Sequence, residues 1–336
     1  MKAIVYERYG SPDVLNIAEV EKPVATGHQV LIKVRAAAVN PADCGCMDGT
    51  VRFMTGLFKP KFNRLGLDVA GEVLAVGDKV TQFKPGDEVF GACVINAYDQ
   101  RRTVWRYNFG SFAEYALSHE GALALKPKNL SFEQAASVAC TAWTAIQGLR
   151  TFGKIQPGQK VLISSATGGV GTFAVQIAKA LGAEVTGVCS TKNIELVRSL
   201  GADNVVDYTK EDYTKQGRRY DLIFDSVGEH PLSTLRSILN PGGAVIIVAK
   251  RTGGSFLGFV LRILSGVIMS PFVRDRIAVD YSRPNQDDLM FVGELLTAGK
   301  IKPVVEKCYS GLAEVARAVQ HVAEGHAWGK IVITVQ

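Results

Sequence analysis

The chain lacks the features that would assign it at once to a metal, membrane or secreted class. Its six cysteines stand at positions 44, 46, 93, 140, 189 and 308, and no spacing forms a disulfide framework. Reduced thiols follow, and a cytoplasmic location is the expectation. Cys44 and Cys46 have a single residue between them, a poor fit to the Cys-x-x-Cys pair of metal and redox sites. No apolar run reaches the length a bilayer span needs; the nearest, 256–269, is interrupted by Arg262. The start, Met1-Lys2-Ala3-Ile4-Val5-Tyr6, reads directly as a strand, without the character of a signal or transit peptide. There is no dense Lys/Arg tract, no internal repeat and no low-complexity stretch. A net charge of +6 over 336 residues suits an anionic small molecule and gives no nucleic-acid signature.

What is present is most concentrated at 160–189. An apolar strand (161–165) runs into Ala166-Thr167-Gly168-Gly169-Val170-Gly171, then a helix (170–181) and a second strand (184–189). This is the first half of a dinucleotide-binding βαβ unit, with Ala166 where the usual fingerprint has its first glycine. Gly168 lets backbone N–H groups approach a pyrophosphate, and Gly171 lets the helix lie close to the strand. The free N–H groups and positive end of that helix favour an anion. Such turns also occur without a ligand, but here strand, turn, helix and strand follow in the required order.

The rest of the chain divides by rhythm. Residues 1–123 are β-rich, with strands expected at 3–6, 29–38, 68–76, 88–92 and 112–117, separated by turn signals such as Lys84-Pro85-Gly86-Asp87. Helices are expected over 131–139, opened by a Ser131/Gln134 capping box, and over 142–149. From 160 onward strand and helix alternate, with further strands at 204–206, 221–224 and 244–249 and helices at 192–200 and 231–239. Alternation of this kind predicts a doubly wound parallel sheet. Helices at 286–298 and 311–323 and a final strand at 330–335 complete the chain; that strand is expected to return to the N-terminal β domain. The domain reading is therefore 1–123 with 281–336, and 124–280.

Several short segments, in order, then carry a resemblance. They are Asn40-Pro41-Ala42-Asp43, Gly66-Leu67-Asp68-Val69-Ala70-Gly71, Lys84-Pro85-Gly86-Asp87-Glu88-Val89, Gly110-Ser111-Phe112-Ala113-Glu114-Tyr115, Thr141-Ala142-Trp143-Thr144-Ala145, the glycine turn, Leu200-Gly201-Ala202-Asp203, Asp225-Ser226-Val227-Gly228 and Gly325-His326-Ala327-Trp328-Gly329-Lys330. The chain resembles the medium-chain dehydrogenase/reductase superfamily, in its zinc-free, quinone oxidoreductase-like branch. The resemblance implies an α/β protein: a GroES-like β-barrel domain plus a Rossmann domain with a doubly wound parallel sheet. Zinc-dependent relatives place Cys where this chain has Asn40 and His where it has Leu67, and carry a cysteine-rich lobe where 91–110 holds only Cys93. Leucine cannot ligate zinc and Asn ligates it poorly, so no metal site is expected.

The implied activity is zinc-independent hydride transfer from NADPH to a quinone or an α,β-unsaturated carbonyl. NADPH is preferred over NADH because the second strand ends Cys189-Ser190-Thr191-Lys192 with no acid to hold a ribose 2′-hydroxyl, while hydroxyls and Lys192 suit a 2′-phosphate. Equally, Ser190 caps the next helix and Lys192 is solvated. Tyr208, Val227 and Gly228 join the cofactor set, with Tyr208 otherwise a strand-end aromatic and Asp225 a turn former. By resemblance Thr141 and Lys330 lie near the cofactor; the plainer readings are a helix N-cap and a surface charge. Asn40 and Asp43 are the catalytic candidates, by hydrogen bonding to ribose or substrate and by assisting protonation, with a structural salt bridge as the safer role for Asp43. A Tyr that many relatives carry after Asn-x-x-Asp is replaced by Cys44-Gly45-Cys46-Met47, so solvent is the expected proton source. Cys44 and Cys46 are taken as ordinary small residues.

The apolar segment 253–269 suggests core or a homodimer contact, with membrane-surface contact as the lesser alternative. The partner expected is a small-molecule electron acceptor. The rival reading, from another class, is a nucleotide-binding interaction or structural protein with little turnover.

Overall fold

Alternating buried side chains at Val30, Ile32 and Val34 give the segment Gln29–Val39 one face for a core, and it forms the longest strand. In the computed structural model described here, which covers residues 1–94, 110–248, 275–280 and 282–335, this strand organises a seven-stranded sheet. Along one edge it pairs antiparallel with Asp68–Val76. Along the other it changes partner: its first half pairs with Tyr115–His119, its last residues with Lys330–Thr334. A register irregularity between Val34 and Ala36 marks the place. Asp68–Val76 continues to Glu88–Ala92 and then Leu123–Leu125. The core contains Ile4, Val69, Val73, Val89, Phe112, Leu123, Ile331 and Ile333.

The second sheet has six strands, all parallel. Its spatial order is Asn204–Asp207, Glu184–Cys189, Lys160–Ile163, Tyr220–Asp225, Leu239–Ile247, Arg276–Val279. In chain order this is 3-2-1-4-5-6, the doubly wound arrangement. Lys160–Ile163 and Tyr220–Asp225 are therefore the neighbours at which winding reverses, and ligands of such sheets bind beyond the carboxyl ends of strands at that point. Leu162, Val188, Val206, Ile223, Val245 and Ile247 pack with Leu232 and Leu235 of the helix Leu232–Ser237.

Two compact units result: Met1–Cys140 with Pro284–Thr297 and Pro303–Gln336, and Thr141–Arg283 with Ala298–Lys302. The sequence boundary at 123/124 is earlier than the division at Cys140/Thr141, because the helix Phe132–Ala136 packs on the strands Gln29–Val39 and Asp68–Val76. Residues 298–302 join the parallel-sheet unit; the Gln176 amide both donates to and accepts from the Lys302 backbone, at 2.9 and 2.8 Å.

The return of the last strand to the N-terminal sheet is as expected. Several elements were not anticipated, among them the strands Asn16–Glu19, Leu123–Leu125, Arg276–Val279 and Val305–Ser310 and the helices Pro41–Asp48 and Arg52–Thr55. The apolar segment 253–269 with Arg274, and the loop residues 95–109, lie outside the described residues.

The glycine turn sets the tightest local constraint. A Cβ on Gly171 would stand 1.6 Å from the Ser165 carbonyl oxygen, so the helix Gly169–Ala180 can approach its strand only with glycine there. At Gly168 an added Cβ meets the Ser165 hydroxyl at 3.1 Å and the Ser165 carbonyl oxygen at an ordinary 3.7 Å. Gly171→Ala is expected to lower stability by about 3 kcal/mol or more, and Gly168→Ala by no more than about 1 kcal/mol. Chemical denaturation of the two variants checks the contrast; equal losses would contradict the close packing.

Candidate functional site

The two units each hold a group of site residues. In the β-rich unit a charged cluster lies under the end of the longest strand. Asn40 follows that strand and precedes the helix Pro41–Asp48, and it is only 2 % exposed. Its Oδ1 accepts from the Lys330 ammonium at 2.6 Å. Its Nδ2 donates to Asp68 Oδ2 at 3.1 Å and to the Ala38 carbonyl at 3.4 Å. Lys330 Nζ also donates to Asp68 Oδ2 at 3.1 Å and to the Val39 carbonyl at 3.2 Å. Asp68 Oδ1 takes the Cys140 N–H at 2.9 Å. With three acceptors for its three donors, the ammonium is saturated.

Asp43 sits one helical turn on, fully buried. Its carboxylate accepts from the Asn40 N–H (2.8 Å) and the Gly66 N–H (2.9 Å). Burial is the largest influence on it and raises its pKa to about 6, against the two backbone donors that favour the anion. Neighbouring Asp68 raises it further, and Lys330 opposes.

Asn40 and Asp43, the catalytic candidates, thus have their polar atoms engaged inside the unit, as members of a buried network. Lys330 is likewise an internal cation, neither a surface charge nor one with an uncommitted donor. Asp68, which sequence reasoning passed over inside its Gly-Leu-Asp-Val-Ala-Gly segment, is the hub. Buried carboxylates pair with cations or backbone donors, so a lone acid between apolar neighbours was the available signal. Cys44 and Cys46 are buried beside Asp43, and burial pushes both thiols up to about 12, which disfavours the nucleophilic thiolate.

The parallel-sheet unit gathers the nucleotide candidates. The helix Gly169–Ala180 begins at Gly168 with no side chain capping it. Its first N–H groups lack intrahelical acceptors, and Thr167 through Val170 are only half-buried. Ala166 is buried, its N–H donating to Val188 (3.0 Å), which locks the turn onto the second strand. Across the reversal point Ser164 Oγ donates to Asp225 Oδ1 at 3.1 Å and accepts the Ser226 N–H at 3.0 Å. Asp225 Oδ1 accepts the Gly228 N–H at 3.0 Å, with Gly228 at φ 75°. Asp225 is thus the turn former, and it shapes the Val227–Gly228 loop at the carboxyl end of its strand. Thr141 is not an N-cap; it is buried inside the helix Ala139–Ile146.

At the end of the second strand, Ser190 precedes a short turn and Lys192 is exposed. The Tyr208 N–H donates to the Cys189 carbonyl at 3.1 Å, which brings Tyr208 beside them, its side chain largely exposed. Thr191, however, donates its hydroxyl to Asp207. Asp207 closes the third strand, and the Thr191 and Thr209 hydroxyls hold its carboxyl down at about 2. An acid therefore does stand here, supplied by the neighbouring strand and invisible to a scan of the second one. Of the expected phosphate contacts, Ser190 and Lys192 remain uncommitted to it. Sequence reasoning also missed Asp280, which follows the strand Arg276–Val279; burial raises its pKa to about 7.

Fold and site together define a two-unit oxidoreductase of the nicotinamide-binding type. Residues 26–128 match the alcohol dehydrogenase GroES-like domain, and residues 200–333 match the zinc-binding dehydrogenase family. The chain is 36 % identical over 342 residues to an NADPH-dependent alkenal/one oxidoreductase of Arabidopsis thaliana, covering 99 % of this chain and 79 % of that protein. It is 35 % identical over 341 residues to a 2-methylene-furan-3-one reductase of Solanum lycopersicum, with the same coverage. A quinone oxidoreductase structure from Coxiella burnetii superimposes with a TM-score of 0.84 at 27 % identity, covering 100 % of this chain and 99 % of that one. The chain belongs to the medium-chain dehydrogenase/reductase family, in its quinone oxidoreductase-like branch.

Two expectations follow from the buried cluster. Lys330→Met leaves the Asp68 carboxylate without its cation and costs about 3–5 kcal/mol, and adding Asp68→Asn restores most of the loss; a denaturant series on the single and double variants reads this directly. For Asp43, the folded state holds its proton more tightly than the unfolded chain. Its contribution to stability therefore declines as pH rises between about 4 and 6 and is level above. Melting curves across that range should show a slope that Asp43→Asn lacks.

Proposed function

We propose that the protein reduces quinones or α,β-unsaturated carbonyls with NADPH, without zinc. The observation that carries this is the uncapped, glycine-started helix at the carboxyl edge of a doubly wound parallel sheet. Its pyrophosphate site would be formed by the backbone of Thr167 through Gly171. Ser190, Lys192 and Tyr208 are the groups that would meet the adenosine end, Lys192 providing the charge a 2′-phosphate needs. Support for NADPH and for this class of acceptor comes from the relatives named as alkenal, furanone and quinone reductases.

When bound, NADPH would supply a hydride, which carries both electrons, and one proton from solvent would complete the reduction of the acceptor. The chain contributes position and exclusion of water more than acid–base chemistry. Asn40 and Asp43 keep their network, and the proton comes from solvent. Zinc-free action is supported by the donor set. Leu67 is apolar, Asn40 is held by Lys330 and Asp68, and among the described residues no group of three or more His, Cys, Asp or Glu is placed to hold a metal. A cytoplasmic location accords with cysteine spacings that form no disulfide framework. A homodimer rests on the apolar segment 253–269, and sedimentation velocity tests it.

Loss of NADPH absorbance with a panel of quinones and enals is the direct test, and cofactor binding without turnover of any acceptor would sink the proposal. NADPH should outperform NADH. Lys192→Ala is expected to raise the KM for NADPH about tenfold, with little change in kcat. Prolonged chelation should leave the rate unchanged.

A further inference from the structure

Between Asp48 and Asp68 the chain has no acidic residue, and it carries Arg52, Lys59, Lys61 and Arg64. Four large apolar side chains in this stretch are exposed: Phe53 on the short helix, and in the turn after it Leu57 at 60 %, Phe58 at 92 % and Phe62 at 38 %. Exposed apolar residues scattered singly are ordinary, but a contiguous set marks a surface that meets something.

The turn that carries the last three is built rather than loose. It leaves the short helix Arg52–Thr55 at Gly56, whose φ of 128° and whose absent Cβ (2.1 Å from the Lys59 carbonyl oxygen) both require glycine. The Gly56 N–H closes on Arg52 at 2.8 Å, and the Lys61 N–H closes on Thr55 at 2.7 Å. The Tyr9 hydroxyl fastens the base, donating to the Gly56 carbonyl at 2.6 Å and meeting the Thr55 hydroxyl at 2.9 Å. Leu57, Phe58 and Lys59 form the tip beyond these ties. Among the described residues no ion pair engages Lys59 or Lys61.

We propose that the 56–62 turn docks the protein on an anionic lipid surface, Leu57 and Phe58 entering the interface and Lys59 and Lys61 meeting the headgroups. An apolar tip on a hydrogen-bonded turn, flanked by two lysines that among the described residues make no ion pair, is complementary to that surface on both counts. The aromatic ring is removed from water without ordering a loop, and each lysine gains from the negative surface potential. A second copy of the chain would present the same positive charge and oppose it. The proposal stands apart from the reductase reading, since it concerns neither cofactor nor acceptor.

Flotation of the full chain with vesicles of phosphatidylcholine alone, and with phosphatidylserine added, tests it. Binding is expected only to the anionic vesicles and should fade as ionic strength rises past the physiological range. Lys59→Glu with Lys61→Glu should lower partitioning at least about 25-fold, roughly fivefold per lysine. Phe58→Ser should lower it about tenfold. Both variants should melt as the unaltered protein does, and the salt titration needs no variant at all. The proposal is overturned if the protein ignores anionic vesicles at low salt, binds neutral ones equally, or binds unchanged in both variants. It is also overturned if Phe58→Ser instead dissociates a dimer in sedimentation, which would assign the turn to contact between copies.

Discussion

The β-rich unit is held together by one buried ion pair, Lys330 with Asp68, and by the Asn40 amide that bridges them. Through these three side chains and the Cys140 amide, four distant parts of the chain meet. They are the end of Gln29–Val39, the start of Asp68–Val76, the segment at Cys140 and the first residue of Lys330–Thr334. Two opposite charges out of water are costly apart and tolerable together, so the pair favours one register of the closing strand over any slipped one. Asp43 extends the arrangement by one helical turn, holding the Asn40 and Gly66 amides that flank it.

The same economy of backbone groups governs the parallel-sheet unit, with a different result. There Asp225, Ser164 and Asp207 satisfy loop amides and hydroxyls at the carboxyl ends of the strands, while the first turn of the helix Gly169–Ala180 has no side-chain cap. One unit thus closes its polar network on itself. The other leaves a line of amide donors for an anionic ligand, which is the physical basis for the cofactor assignment.

Much of this was legible beforehand. Strands with strict alternation or continuous apolar runs, such as Asp68–Val76 and Glu184–Cys189, were read to the residue. The glycine turn was read because its steric demands fall on adjacent residues. Val305–Ser310 was not, because Glu306 and Lys307 interrupt its pattern; it is a strand by virtue of pairing with Lys330–Thr334. Arg276–Val279 is too short and too evenly half-buried to show a period.

The sequence by itself determined the family, the doubly wound parallel class of the second unit and its glycine turn. Each depends on residues close together in the chain, where local geometry and hydrophobic period act. Only the tertiary structure decided that Asn40, Asp43 and Lys330 form a buried framework, that Asp207 reaches Thr191, and that Phe58 stands in water. These depend on which distant residues become neighbours and on how much water folding removes from each, and neither quantity is written in the spacing of the chain.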